Sequence, residues 1–156
     1  LKEYQKSIEH YVRGVTILKN ESYMPSSLRY SEIDLIRSRV MNNDMDIDID
    51  SIYQIADKIK LKHAIGRACG SICDILLTID NHIPEAEKWI TTAIETNKKY
   101  SFRYYLAHDY ALYAKLFIRK GDQFRAKEKL NEAIKIFKEC GADGWVEKYE
   151  KELATL

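Results

Sequence analysis

The chain has 156 residues, of which 46% are hydrophobic and 31% are charged, and this is the composition of one globular domain rather than a disordered chain. Its 25 basic and 24 acidic residues leave a net charge of +1. Nucleic-acid grooves and polybasic membrane surfaces need a concentrated excess of Lys and Arg, so we expect no nucleic-acid partner and no membrane.

In chain order, the pattern predicts eight helices. Breaks fall at 20–27, 42–48, 60–62, 80–84, 99–101, 120–122 and 140–143, and most of them contain Pro, Gly, Ser, Asn or Asp. The helices predicted between them span 2–19, 27–42, 49–60, 63–79, 85–99, 102–119, 123–139 and 143–155. Strand signals are weak and the connections are short, so we predict an all-α fold with antiparallel neighbours.

Two segments of the chain match at a shift of 40 residues. "PEAEKWITTAIET" (84–96) aligns with "FRAKEKLNEAIKI" (124–136), which places Ala86 on Ala126 and Ala93 on Ala133. A period of this size is typical of helical repeat arrays. Two helices approach closely where one presents a small side chain, and we therefore predict that Ala126 and Ala133 are buried at helix contacts.

Residues 107–138 resemble a tetratricopeptide repeat. The residues that carry this resemblance are Tyr110, Tyr113, Ala114, Phe117, Gly121, Ala126, Leu130 and Ala133. Lys138 stands where the family has a proline. The resemblance implies antiparallel helix pairs stacked as a right-handed superhelix, an α-solenoid. The single domain would contain repeat-like units at 27–60, 63–99 and 102–139, with a capping helix at 143–155.

The closing segment "FKECGADGWVEKYEKEL" (137–153) and the spacing of 40 residues add a finer resemblance. They are similar to the repeats in the C-terminal regions of large bacterial signalling ATPases, cyclases and kinases. This resemblance implies a non-catalytic interaction scaffold or sensor module of a larger signalling protein. The chain begins at Leu1 without Met, which also indicates a piece of a longer protein. Its three cysteines have no disulfide spacing and favour reduced thiols in the cytoplasm.

In tetratricopeptide arrays, the first helix of each pair lines a concave groove. The resemblance therefore implies the partner-binding residues His108, Ala111, Lys115, Ile118 and Arg119 in the last repeat, and Ala68, Ser71 and Ile75 in the middle repeat. The Lys-x-x-x-Asn pair of the family's chaperone-tail clamp is replaced here by Ala111 and Lys115, so we do not expect that clamp. Lys115 and Arg119 lie one helical turn apart and could hold an acidic segment; the alternative is a solvated basic face.

The sequence carries none of the common nucleotide-binding, hydrolase or metalloprotease motifs, and we predict neither catalysis nor a cofactor. The acidic run between Asp44 and Asp57 is the one metal-like stretch. It resembles a calcium loop in its Asp spacing, but Ser51 stands where that loop needs Gly. The other interpretation is that these Asp residues cap the N-terminus of the next helix. Cys69 and Cys73, one turn apart, are expected to be buried rather than metal-binding.

Two function classes stay open. The favoured class is a scaffold that binds a protein or peptide segment, or another domain of the same polypeptide, in the concave groove. The alternative is a small-molecule-binding helical sensor domain whose groove is closed by the first two helices. A polar groove open at both ends would favour the scaffold, and a deep aromatic pocket would favour the sensor.

The first predicted helix carries apolar residues around much of its circumference. They are Tyr4, Ile8, Tyr11, Val12, Val15, Ile17 and Leu18. One neighbouring helix cannot bury all of them, so we expect this helix to pack on a preceding repeat or to form a homodimer. The last helix instead presents a single apolar side containing Trp145, Val146, Tyr149 and Leu153, as a C-terminal cap should.

Overall fold

The computed structural model describes residues 2–20, 24–79 and 82–156, with side chains from residue 4 onward. Within these ranges the chain forms α-helices and no strand, and the predicted all-α class is confirmed. The helices are α1 (Lys2–Asn20), α2 (Pro25–Met41), α3 (Ile49–Ala56), α4 (Lys62–Thr78), α5 (Ile83–Lys99), α6 (Arg103–Arg119), α7 (Gln123–Glu139) and α8 (Asp143–Ala154). Residues 21–23 and 80–81 of two predicted breaks, and Leu1, lie outside the described residues.

The helix boundaries follow from local capping. Asp122 precedes α7, and its side chain accepts a hydrogen bond from the Arg125 amide at 2.9 Å. Gly121, just before it, has a φ of +76°, a conformation that glycine adopts without steric cost. Asp48 caps α3 in the same way, accepting from the Ser51 amide at 3.3 Å. The Asp48 contact confirms the interpretation that the acidic run caps the next helix, and Asp122 has the same role at α7.

Helices α2 and α4 run parallel, side by side. Their facing side chains pair at a constant separation of 37 residues, in the pairs Tyr30–Arg67, Asp34–Ser71 and Arg37–Asp74. Helix α6 lies on the other side of α4 in the same direction, because Arg67 faces Tyr105 and Asp74 faces Lys115. Each of α5 and α7 packs against the helix before it and the helix after it.

The small residues of the repeated segments lie in the core. Ala86, Ala93, Ala126 and Ala133 are all 0% exposed. One cluster of buried apolar side chains extends from Ile33 in α2 to Tyr149 in α8. The predicted burial of Ala126 and Ala133 is therefore confirmed, and the aligned residues Ala86 and Ala93 are equally buried.

The two terminal helices differ in how much apolar surface they bury. In α1, Val15 is buried while Val12 and Ile17 are 42% and 60% exposed. In α8, Val146 and Tyr149 are buried, as the predicted inner side requires. In the described part of the chain, no helix combines the length and the apolar character needed to cross a membrane.

Candidate functional site

A cavity of about 360 Å³ lies where α1, α2, α4, α6 and α8 meet. We call it the central cavity. Its aromatic walls come from four of these helices and consist of Tyr11, Tyr30, Tyr104, Tyr105, Trp145 and Tyr149. Its charged lining consists of Asp34, Arg37, Arg67, Asp74, Asp109 and Lys115. A volume of this size and a lining of this mixture are typical of small-ligand sites.

Aromatic rings enclose His108 at one end of the central cavity. Its imidazole lies edge-on to Tyr104 and Trp145, with ring centroids at 4.8 and 4.5 Å. The indole Nε1 of Trp145 donates to the Tyr104 hydroxyl at 3.0 Å. Burial, together with the positive charges of Lys148 and Arg37, lowers the pKa of His108 to about 4. His108 is therefore neutral at neutral pH.

Asp74 is the ion-paired carboxylate of the cavity. It is 6% exposed, and Arg37 approaches its Oδ2 with Nη2 at 2.6 Å and Nε at 2.8 Å. Lys115 Nζ lies 3.6 Å from Oδ1 of the same carboxylate. Two cations thus neutralise Asp74 and join α2, α4 and α6 at this point. A buried carboxylate is tolerated at this position because these partners compensate its charge.

Asp34 has neutral hydrogen-bond partners. The Tyr11 hydroxyl donates to its Oδ2 at 2.9 Å and the Ser71 hydroxyl donates to its Oδ1 at 2.6 Å. Burial raises the pKa of Asp34, although both hydrogen bonds and Arg37 oppose that shift. Burial and the adjacent Asp34 charge raise the pKa of Tyr11 to about 12. Through this contact α1 closes one side of the central cavity.

Asp109 also forms no ion pair within the described residues. Its Oδ2 accepts a hydrogen bond from Asn97 Nδ2 at 2.7 Å, and Asn97 is fully buried. Burial raises the pKa of the Asp109 carboxyl to about 7. The other atom of the amide, Asn97 Oδ1, is buried without a hydrogen-bond partner in the described chain. Asp109 is therefore poised between its charged and neutral forms near neutral pH.

Arg67 is held between two tyrosine rings. Its guanidinium lies 4.1 Å from the Tyr30 centroid and 4.9 Å from the Tyr105 centroid. One of its nitrogens donates to the Tyr30 hydroxyl. Cation–π contacts with two rings position a guanidinium without neutralising its charge. Arg67 therefore presents a positioned cation to the central cavity.

The structure separates the eight groove residues expected from the tetratricopeptide resemblance. His108, Ser71 and Lys115 line the central cavity. The three residues with buried side chains, at 2%, 0% and 1% exposure, are Ala68, Ile75 and Ala111. The remaining two lie outside the cavity lining: Ile118 is 38% exposed, and Arg119 Nη2 donates to the Leu77 carbonyl at 2.9 Å.

Several cavity residues were not expected from the sequence, although a signal for them exists. Tyr30, Asp34 and Arg37 on α2 have the i, i+4, i+7 spacing of one helix face. Arg67, Ser71 and Asp74 repeat that spacing on α4, 37 residues later. A polar face that recurs on two helices at the repeat distance indicates pairing between those helices.

The thiols of Cys69 and Cys73 are buried, and Asp48 of the acidic run caps α3. Burial, with a smaller contribution from Asp109, raises the pKa of Cys69 to about 12, and Cys73 is also buried. Protonated buried thiols are poor nucleophiles and poor metal ligands. Across the described ranges, no group of three or more His, Cys, Asp or Glu side chains is arranged to hold a metal ion.

Comparison with known proteins gives no match, whether with family models, curated protein sequences or solved structures. The tetratricopeptide resemblance therefore stays a prediction from residues 107–138. The case for a function rests on the geometry of the central cavity.

Proposed function

We propose that this chain is a non-catalytic sensor module of a larger cytoplasmic signalling protein, and that it binds a small ligand in the central cavity. The observation that carries the proposal is the cavity itself. It has about 360 Å³ of space between aromatic walls, and several charged side chains converge on it. Such sites bury most of a small ligand, and a few polar groups fix its orientation.

We also propose that α2 to α8 form a tetratricopeptide-like α-solenoid. Three observations support this arrangement. Helices α2, α4 and α6 run parallel through pairs such as Tyr30–Arg67 and Asp74–Lys115. Ala126 and Ala133 are fully buried in α7, and the Gly121 turn precedes that helix. The eight-residue α3 lies between α2 and α4 in the chain, and α2 and α4 pack directly on each other.

A small ligand suits this cavity better than an extended segment. Tyr11 from α1 and Tyr30 from α2 close one side of it, and Tyr149 from α8 lines it as well. Three of the residues expected in an open groove, Ala68, Ile75 and Ala111, are instead buried in the core. The closed side therefore favours the sensor class over the scaffold class.

Two titratable groups, His108 and Cys69, have pKa values that suit neither of them to catalysis. His108 has a pKa of about 4 and Cys69 has a pKa of about 12. A general base or a nucleophile needs a pKa near the working pH, and neither group has one.

A partner-binding scaffold is the second candidate, and one surface favours it. Lys115 and Ile118 lie three residues apart on α6 and are 51% (side chain) and 38% exposed, respectively. A basic and an apolar side chain in that arrangement suit an acidic peptide segment with an apolar residue.

The two tryptophans of the chain provide a direct test. Trp145 lines the central cavity, whereas Trp89 stacks on Tyr53 at 5.4 Å away from it. Trp89→Phe leaves Trp145 as the only indole, and Trp145→Phe leaves Trp89. Each variant is titrated with small metabolites grouped by class and with acidic peptides, and its tryptophan emission is recorded.

A small ligand in the central cavity should change the Trp145 emission and leave the Trp89 emission unchanged. An acidic peptide that binds while every small metabolite fails would favour the scaffold. A lack of response to every metabolite, with calorimetry also silent, would refute the sensor proposal.

A further inference from the structure

Three charged side chains that line the central cavity form no ion pair within the described residues. These are Arg67, Asp34 and Asp109. Asp74 differs from them, because Arg37 and Lys115 neutralise it. Asp34 accepts hydrogen bonds from two hydroxyl groups, and Asp109 accepts one from an amide. A buried charge without an ionic partner costs free energy, and a ligand of complementary charge removes that cost.

Arg67 has unused hydrogen-bonding capacity. Its guanidinium carries five N–H donors, and the Tyr30 hydroxyl takes one of them. Its Cζ lies 4.1 Å from the Tyr30 ring centroid and 4.9 Å from the Tyr105 ring centroid, and these contacts position the guanidinium. A fixed guanidinium pairs with a carboxylate through two parallel hydrogen bonds. Arg67 is therefore suited to an anionic oxygen pair on a ligand.

The carboxylates of Asp34 and Asp109 approach α4 from opposite sides, at the same height along the helix axis. Ser71 donates to Asp34, which belongs to α2. The neighbouring Gly70 faces Asp109 of α6, and a Cβ on Gly70 would lie 3.1 Å from Asp109 Oδ1. That oxygen has no hydrogen-bond partner in the described chain, and the carboxyl is 4% exposed. The raised pKa of Asp109 agrees with a carboxylate whose charge the protein itself leaves uncompensated.

The positive and negative groups are one helical turn apart. Arg67 precedes Ser71 by four residues on α4, which corresponds to roughly 6 Å along the helix axis. A cation at one level and two carboxylates at the next form a site with two opposite poles. The poles lie close enough for the two charged ends of one small molecule.

We infer that the central cavity binds a small zwitterion of the amino-acid class, with its carboxylate on Arg67 and its ammonium on Asp34 and Asp109. This inference rests on the proposed function, because it names the ligand class of the same cavity. Tyr104 and Trp145 provide an apolar wall for the ligand side chain. A dianion would meet Asp34 and Asp109, and a dication would meet Arg67, so neither complements the site as well.

The test uses ligands that lack one charge at a time. The Trp89→Phe protein is titrated with the free L-amino acids, followed by emission and by calorimetry. The amino acid that binds tightest is then compared with its N-acetyl form, which lacks the ammonium, and with its amide, which lacks the carboxylate. Each capped form should bind roughly tenfold to a hundredfold more weakly. Dipeptides beginning with the same residue distinguish a free amino acid from a peptide source.

Matched variants locate the two poles. Arg67→Gln should weaken binding of the free amino acid at least tenfold but leave the already weak binding of the amide nearly unchanged. Asp109→Asn should weaken binding of the free amino acid at least tenfold but leave the already weak binding of the N-acetyl form nearly unchanged. Lys115→Gln removes the same unit of charge as Arg67→Gln, but from a group already paired with Asp74, and should change binding much less. Circular dichroism checks whether each variant is folded. If a variant is not folded, the comparison of the free, N-acetyl and amide ligands on the Trp89→Phe protein decides whether both charges are recognised.

Specific outcomes would overturn the inference. Equal affinity for the free and N-acetyl forms would show that no ammonium is recognised. A Trp145 response to sugar phosphates or nucleotides, without any response to amino acids or dipeptides, would refute the zwitterion and leave the proposed function standing. Silence with all of these classes would refute both.

Discussion

The side-chain amide of Asn97 lies directly against the α-carbon of Gly66, so that a Cβ added to Gly66 would be 2.3 Å from Asn97 Oδ1. Asn97 belongs to α5 and donates to Asp109 of α6 at 2.7 Å. The absence of a side chain on α4 therefore makes room for the amide that orients Asp109. Three helices meet at this contact beside the central cavity.

Gly66→Ala should destabilise the protein, because Asn97 is enclosed and cannot move away from the new methyl group. We expect the free energy of unfolding to fall by about 1–3 kcal/mol, the range for overpacking, despite the better helix propensity of Ala. Urea unfolding measures this change. Gly14→Ala is the control, because a Cβ there meets nothing within 4 Å. It should stabilise the protein by roughly 0.5–1 kcal/mol; equal effects of the two substitutions would contradict the close contact.

Ala133→Leu should also reduce stability, because Ala133 is 0% exposed in α7. Adding three carbons to a filled contact should cost about 1–3 kcal/mol. Lys135→Leu, two residues later on the exposed side of the same helix, should change the free energy of unfolding by less than about 0.5 kcal/mol. Urea unfolding of both variants makes the comparison, and a neutral result for Ala133→Leu would show that its contact has room to spare.

Most of the fold could be predicted because helical periodicity and turn residues are local signals. The exception is α3, predicted at 49–60 but ending at Ala56. There the Lys58 and Ile59 amides bond to carbonyls only three residues back, at Ile55 and Ala56, so the chain tightens into turns. Apolar spacing does not distinguish such turns from a continuing helix.

The candidate site was less predictable, because it depends on how helices pair. The family pattern places groove residues on each first helix as if neighbouring units were alike. In this chain α3 has only eight residues, and α2 packs closely on α4. Ala68 and Ile75 are buried, whereas Asp34 and Arg67 line the cavity. The hydrogen bond from Tyr11 to Asp34 joins residues that are 23 positions apart in the sequence, and no local pattern predicts it.

Variants of Asp48 distinguish a helix cap from a calcium ligand. Asp48→Ala removes the acceptor for the Ser51 amide and should cost about 0.5–2 kcal/mol in the free energy of unfolding. Asp48→Asn keeps an acceptor and should be nearly neutral, since Asn caps as well as Asp. Added Ca²⁺ should leave the Tm of both the original protein and Asp48→Asn unchanged. A calcium-dependent rise in Tm that disappears in Asp48→Asn would establish a cation site instead.

Two buried groups of the cavity oppose each other in the pH dependence of stability. The pKa of His108 is lowered from 6.5 to about 4. The stability that its neutral form contributes to the folded state is therefore present above about pH 6.5 and is lost as the pH falls. The pKa of Asp109 is raised from 3.8 to about 7. Below pH 3.8 the carboxyl is protonated in both the folded and the unfolded state, and the stability of the protein is not reduced by it. As the pH rises through about 7 this stability is lost, because the unfolded state releases its proton first.

Asp109→Asn should therefore gain stability relative to the original protein as the pH rises from about 4 to about 7. The difference in the free energy of unfolding should grow by up to about 1.4 kcal/mol per pH unit, because one proton separates the two states. Asp34 and His108 are the same in both proteins, so their contributions cancel in this difference. Urea unfolding at several pH values gives the two curves.

His108→Gln serves as the control of opposite sign, since it should gain stability relative to the original protein as the pH falls. If the curves of Asp109→Asn and the original protein ran parallel, the carboxyl of Asp109 would titrate alike in the folded and unfolded states, and its burial would carry no cost.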